Sequence, residues 1–283
     1  MSDFKELIRG AYFEGLLIDG ENLWYTDVTR GGVHNLATGQ TVLPERTMVG
    51  GLLQNSDGAL LVAGGGGIEW VNPATDAKGT LVTVDDGVNE MRADGQGGMF
   101  FGTIDLPAIL RGETPGPSSI RHLARDGTCR VLKEGMVFAN GLSLDASGTI
   151  LLFNESFVAT RAFPVGPDFA LGEMQTLLDM PDCDGMALDV EGNAWISGFA
   201  SGELICLTPT GEEVARLELP GPACTNVRFG GPDMSDLYVC IVDPADAQKL
   251  ADGTPITDQN SAIYRTRAPV PGAPMGRTEF VLG

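Results

Sequence analysis

Four side chains carry the chemistry that this chain could do. Glu14, Asn89, Asn140 and Asp184 each open a short, partly apolar stretch that leads through an Asp/Gly turn into a second, strongly apolar strand. Those second strands contain Leu23-Trp24-Tyr25, Met99-Phe100-Phe101, Ile150-Leu151-Leu152 and Ala194-Trp195-Ile196. Equivalent positions of a repeat gather around one axis in a quasi-symmetric fold. Two carboxylates and two carboxamides meeting at one point are costly unless a charge compensates them. A bound cation resolves that cost. All the donors are oxygens, with neither His nor Cys at a matching position, so a hard ion such as calcium or magnesium suits them better than zinc. The plain alternative is that each Asp or Asn bonds to its own turn. For any one residue that role is preferred; four coincident positions reverse the preference.

The same unit recurs six times, with further second-strand cores at Leu60-Leu61-Val62 and Leu237-Tyr238-Val239. From Gly50, Asn89, Asn140 and Asp184 the apolar core begins ten positions on, from Glu14 nine, and from Thr225 twelve. Third strands with polar tails follow, as in Ser119-Ile120-Arg121-His122-Leu123, and fourth strands in places, as in Glu213-Val214-Ala215-Arg216-Leu217. This register predicts an all-β fold, a six-bladed β-propeller with four-stranded antiparallel blades around a central channel, formed by residues 1–283 as one domain. A sandwich needs no such register, and a solenoid would have shorter, more uniform repeats. One channel mouth then receives Glu14, Gly50, Asn89, Asn140, Asp184 and Thr225 or Asn226. The residues just after Met1 and the segment Thr278-Glu279-Phe280-Val281-Leu282 are expected to close the ring by pairing near one another.

Composition agrees. The 39 Gly and 17 Pro are scattered among short apolar runs, as turns in a β-protein require. A net charge of −20 repels phosphate backbones and anionic membranes, which argues against nucleic-acid or membrane partners; the partner expected at the convergent side chains is a small-molecule substrate. No apolar run approaches the roughly 20 residues of a membrane span, and the start lacks a basic region followed by an apolar one, so a cytoplasmic protein is expected. The five cysteines are odd in number and include no Cys-x-x-Cys pair, so they read as small hydrophobes rather than a disulfide or zinc framework.

Other motifs carry less. Gly64-Gly65-Gly66-Gly67 lacks a following Gly-Lys-Ser/Thr and reads as a flexible blade connection. His34 and His122 fall in third strands, away from the channel. Ser143 and Ser156 have no His or Asp at a triad spacing. Trp24, Trp70 and Trp195 read as blade core.

These residues together resemble the calcium-binding family that joins senescence marker protein (regucalcin), gluconolactonases and luciferin-regenerating enzyme. The likeness spans nearly the whole chain. It rests on Glu14-Gly15 with Leu23-Trp24-Tyr25-Thr26-Asp27, Asn89 with Phe101-Gly102-Thr103, Asn140-Gly141-Leu142, Asp184-Gly185-Met186 with Gly192-Asn193-Ala194-Trp195, and Phe229-Gly230-Gly231-Pro232-Asp233 before Leu237-Tyr238-Val239. The resemblance implies a six-bladed propeller that hydrolyses a lactone or related ester, with one divalent cation held by Glu14, Asn140 and Asp184. Calcium is the expected ion, with magnesium, manganese and zinc as alternatives. Asp184 is the implied general base and Asn89 is implied to lie close to the metal or substrate; Glu90, Met91 and Ile104, beside it and where the chain departs from the family, are expected with Asn89 to be the substrate contacts. A metal-dependent phosphotriesterase and a non-enzymatic calcium- or ligand-binding propeller are the alternatives. The chain departs from the family where Gly87-Val88-Asn89-Glu90-Met91 lacks an arginine before the Asn. It departs again where Gly102-Thr103-Ile104 leads to Asp105-Leu106-Pro107. The apolar residues Val88, Met91, Ile104 and Leu106 point to a substrate less polar than a sugar lactone.

Overall fold

The computed structural model describes residues 3–111, 113 and 115–283. Its strands form five antiparallel sheets. Phe13–Asp19, Asn22–Asp27, Val33–Asn35 and Thr41–Val42 form one four-stranded sheet, and Ala139–Leu144, Ile150–Glu155, Ala159–Pro164 and Gln175–Leu178 another. A third holds Cys183–Leu188, Ala194–Gly198, Glu203–Leu207 and Glu213–Glu218. The last repeat contributes Ala223–Gly230, Asp236–Val242 and Ser261–Arg267, and Lys5–Gly10 completes that sheet as its outer strand. The ring is an all-β propeller.

The count of six separate blades is corrected. Val49–Gln54, Leu60–Val71, Lys78–Ala93, Met99–Ile104, Ser118–Leu123 and Cys129–Met136 form a single six-stranded sheet. The 16-residue strand Lys78–Ala93 pairs with Leu60–Val71 over its first part and with Met99–Ile104 over its second, so two repeats share it. The β-favouring run Leu81-Val82-Thr83-Val84 continues through Asp85-Asp86-Gly87, where the Asp-Gly pair makes no turn because Gly87 does not enter the left-handed region. The glycine run is corrected too. Gly64 to Gly67 lie inside the strand Leu60–Val71, and Gly67, at φ 132°, sits so near its neighbour that a Cβ would come within 2.1 Å of Val82 O.

Apolar faces pack between successive sheets. Trp195 meets Phe229 of the next sheet edge-on at 6.2 Å, and within one sheet Phe153 stacks on Phe163 at 5.3 Å. Trp24, Trp70 and Trp195 are all buried, as expected of core residues. The five cysteines are free thiols, four of them buried.

Ring closure is only half as expected. Lys5–Gly10 pairs with Ser261–Arg267 and not with the C-terminal segment. That segment instead straps the end of the ring opposite Glu14 and Asp184. Gly272 N donates to Met234 O, Ala273 N to Leu188 O, Thr278 N to Gln54 O and Glu279 N to Gly97 O. Asn55 fastens it, accepting from Phe280 N at 2.9 Å and donating to Phe280 O at 3.0 Å. No helix among the described residues is long and apolar enough to cross a membrane.

At that same end, His122 Nε2 lies 2.8 Å from Asp94 Oδ2, both side chains buried. Burial alone would raise the Asp94 carboxyl. The bonds from His122 and from the amides of Gln96 and Gly98 outweigh it and hold the group below its ordinary value. A depressed carboxyl stabilises the fold above its ordinary value near 4 and loses that contribution as pH falls through the folded value. Asp94→Asn should therefore cost about 1.5–3 kcal/mol near neutrality, and clearly less near pH 3. Thermal melts of both proteins at the two pH values check it.

Candidate functional site

Every inner strand breaks register at the position the repeat singles out. The shifts lie between Phe13 and Leu16, Val49 and Leu52, Val88 and Met91, Ala139 and Leu142, Cys183 and Met186, and Cys224 and Asn226. A bulge re-aims the side chain it carries, here toward the axis. Glycine follows Glu14, Asn140 and Asp184 because adjacent inner strands nearly touch. A Cβ on Gly15 would lie 2.3 Å from Gly50 O, and one on Gly141 2.5 Å from Asp184 O. Second-strand side chains satisfy the backbone groups that the bulges free. Thr26 Oγ1 accepts from Gly15 N and donates to Gly50 O, while Asn154 Nδ2 donates to Asp184 O at 2.7 Å.

The four selected side chains converge. Asn89 Nδ2 donates to Asn140 Oδ1 at 2.8 Å, and Asn140 Nδ2 donates to Ser156 Oγ at 3.2 Å. Ser156 Oγ in turn donates to Cys183 O at 2.6 Å. Asn140 and Asp184 are buried, whereas Glu14 and Asn89 are partly open to a cavity above them. Burial first, then the charges of Asp184 and Glu90, pushes Glu14 well above the carboxylate range against the opposing Arg228. Burial pushes Asp184 the same way, opposed by the Asn140 amide and reinforced by Glu90 and Asp182. Asp184 Oδ1 is buried with no hydrogen-bond partner.

A second polar layer lies beneath. Glu90 Oε2 accepts from Arg228 Nη2 at 2.6 Å and from Asn226 Nδ2 at 3.4 Å, and Glu90 Oε1 accepts from Met91 N. Arg228 Nη1 donates to Met186 O and Val227 O. Glu90 and Arg228 are each 3 % exposed in their side chains, so the guanidinium is spent inside the protein.

The cavity measures about 620 Å³ and is walled largely by apolar side chains, among them Val28, Met48, Ile104, Leu106, Phe157 and Phe199. Two helices stand at its rim, α1 (Leu106–Leu110) and α2 (Pro244–Ala251). Each is started by an aspartate: Asp105 accepts from Ala108 N, and Asp243 from Ala245 N. Of the four expected substrate contacts, Asn89 and Ile104 line the cavity. Glu90 and Met91 do not: Glu90 points to Arg228, and Met91 is fully buried in the core. Sequence reasoning missed Ser156, which lacks a triad partner and yet bonds to Asn140, and Phe157, which borders the cavity. His34 and His122 lie outside the cavity lining, as expected.

The donor chemistry fits a hard cation. No three His, Cys, Asp or Glu side chains among the described residues form a metal cluster. The convergent set is instead two carboxylates and two carboxamides, whose oxygens suit calcium or magnesium. The unpartnered Asp184 Oδ1 and the repulsion between Asp184 and Glu14 are what a bound cation would relieve.

The chain is 26 % identical over 277 residues to the pentonolactonase XacC of Haloferax volcanii, covering 94 % of this chain and 93 % of that one. It is 25 % identical over 268 residues to the 6-deoxy-6-sulfogluconolactonase of Pseudomonas putida, covering 88 % of each. The solved luciferin-regenerating enzyme superposes with a TM-score of 0.83 at 19 % identity, over 99 % of this chain and all of that one, and so shares the fold. Residues 13–242 match the model of the SMP-30/Gluconolactonase/LRE-like region. With the bulge-borne Glu14, Asn140 and Asp184 inside that match, the chain belongs to the SMP-30/gluconolactonase/LRE-like family.

Proposed function

We propose that this protein is a divalent-cation-dependent hydrolase of a lactone or related cyclic ester. The observation that carries the reading is Asp184 Oδ1, buried and without a partner, together with Asn140 behind the cavity lining to which Glu14, Asn89, Asp182 and Cys183 contribute. Relatives named for pentonolactone and sulfogluconolactone hydrolysis support the reaction class. Glu14, Asn140 and Asp184 would hold the ion, with calcium the best match to their oxygens. When bound, it supplies Lewis-acid polarisation of the ring carbonyl. Asp184 accepts the proton of the attacking water. Asn89 keeps one N–H free after bonding to Asn140 and orients the ring oxygens. Water adds to the carbonyl carbon, the ring C–O bond breaks, and the proton passes to the leaving alcohol oxygen. Apolar walls keep other water away.

Chelation tests this directly. Removing divalent ions should lower the melting temperature by about 5–10 °C at a loading of roughly a hundredfold over Kd. It should also abolish lactone hydrolysis followed by pH-stat, and calcium should restore both. Indifference of both to chelation would falsify the cation. Turnover of phosphotriesters without lactones would move the chemistry to that ester class, and stabilisation by calcium without any turnover would leave a binding propeller.

A further inference from the structure

We infer that the cavity takes a neutral lactone whose ring carries an apolar substituent, in preference to a polyhydroxylated or anionic sugar lactone; this rests on the lactonase reading above. The first observation is charge. None of the described residues lining the cavity is Lys, Arg or His, while Glu14, Asp182, Glu113 and Asp252 all border it. Along the cavity wall an anionic substituent would meet carboxyl side chains and no cationic side chain, since Arg228 is committed to Glu90 and to backbone carbonyls beneath.

The second observation is backbone strain spent on apolar side chains. Phe157 closes the tight turn between Ile150–Glu155 and Ala159–Pro164 at φ 73°, and Met48 stands at φ 53°. Glycine or asparagine adopts that region readily; a bulky side chain does so at a cost of order 1–3 kcal/mol. Both residues border the cavity. Phe157 is 68 % exposed and its ring lies 6.3 Å from that of Phe138, so intramolecular burial does not account for its position. Strain of this kind collects at ligand sites. A third observation is that Ile104 and Leu106 extend the apolar wall from the polar floor up to the rim, where Leu250 of α2 faces the same space. The ring would sit at the floor beside Asn89, with its substituent along this wall.

The test uses δ-valerolactone, its pentyl-substituted derivative and glucono-δ-lactone, with calcium present throughout. The pentyl ring should exceed both others in kcat/KM by about tenfold or more, the scale of discrimination that a few buried methylenes give. Phe157→Asn should lower the ratio of pentyl to unsubstituted ring by about tenfold while leaving the melting temperature unchanged or higher, because asparagine relieves the strain. A purely structural role would lower the melting temperature and leave the ratio unmoved. Calorimetric binding of the pentyl-substituted lactam, which is not hydrolysed, gives a readout independent of turnover. Lactone turnover with a flat ratio, or with gluconolactone preferred, overturns the inference and spares the lactonase. Tight lactam binding that Phe157→Asn weakens, without turnover of any lactone, supports the apolar site and overturns the lactonase. Absence of both overturns both.

Discussion

Asp184→Asn should lower kcat/KM for a lactone by about 10²–10⁴-fold and, in the chelated protein, raise the melting temperature. Asparagine keeps the shape of the side chain and removes a charge that sits buried near Glu14, Glu90 and Asp182 with one oxygen unpartnered. Relief of such an uncompensated group is worth about 1–3 kcal/mol, or several degrees for a chain of this size. Calcium, which should stabilise the parent protein, should stabilise the variant far less. Activity assays and melts with and without calcium check both halves. Equal lactone turnover in the two proteins ends the assignment of Asp184 as the base.

Arg228→Met should have the largest effect on folding. It strands Glu90 inside the protein, near Glu14 and Asp184, with only Asn226 and the Met91 amide to bond it. Removing one partner of a buried pair costs about 3–5 kcal/mol, roughly 10 °C in melting temperature. The double variant Glu90→Met/Arg228→Met should recover most of that loss, because an apolar pair of similar volume replaces the ion pair at nearly no net cost. Denaturant unfolding of the two single variants and the double one gives the coupling. A double variant no better than Arg228→Met would show that the pair does not stabilise through its charges.

The two variants also mark what the sequence revealed and what it hid. Glu14, Asn140 and Asp184 were legible because each sits on a bulge repeated at nearly constant spacing and is followed by a glycine that close strand approach demands. Glu90 misled for a related reason. It occupies the place that glycine takes in those repeats and adjoins Asn89, but its partner Arg228 is 138 positions away and leaves no local trace. The five-sheet count escaped because hydropathy marks where strands are, not whether one ends before the next begins; the run through Lys78–Ala93 has no forced stop. Phe157 escaped because a left-handed turn position ordinarily announces itself by Gly or Asn. The strap across the far end, held by Asn55 and by backbone carbonyls, has no side-chain pattern that would predict its path.

The pairing of Lys5 with Arg265 and of Gly10 with Ser261 sets a timetable for the molecule's assembly. The edge strand Lys5–Gly10 has no mate until residues some 250 places later have emerged from the ribosome, so the nascent chain carries an unsatisfied sheet edge while all the sequence between them is made. Contacts of such long sequence separation make folding slow. A destabilised edge at Lys5–Gly10 should therefore show itself first as lost yield during expression, before it shows in the purified protein.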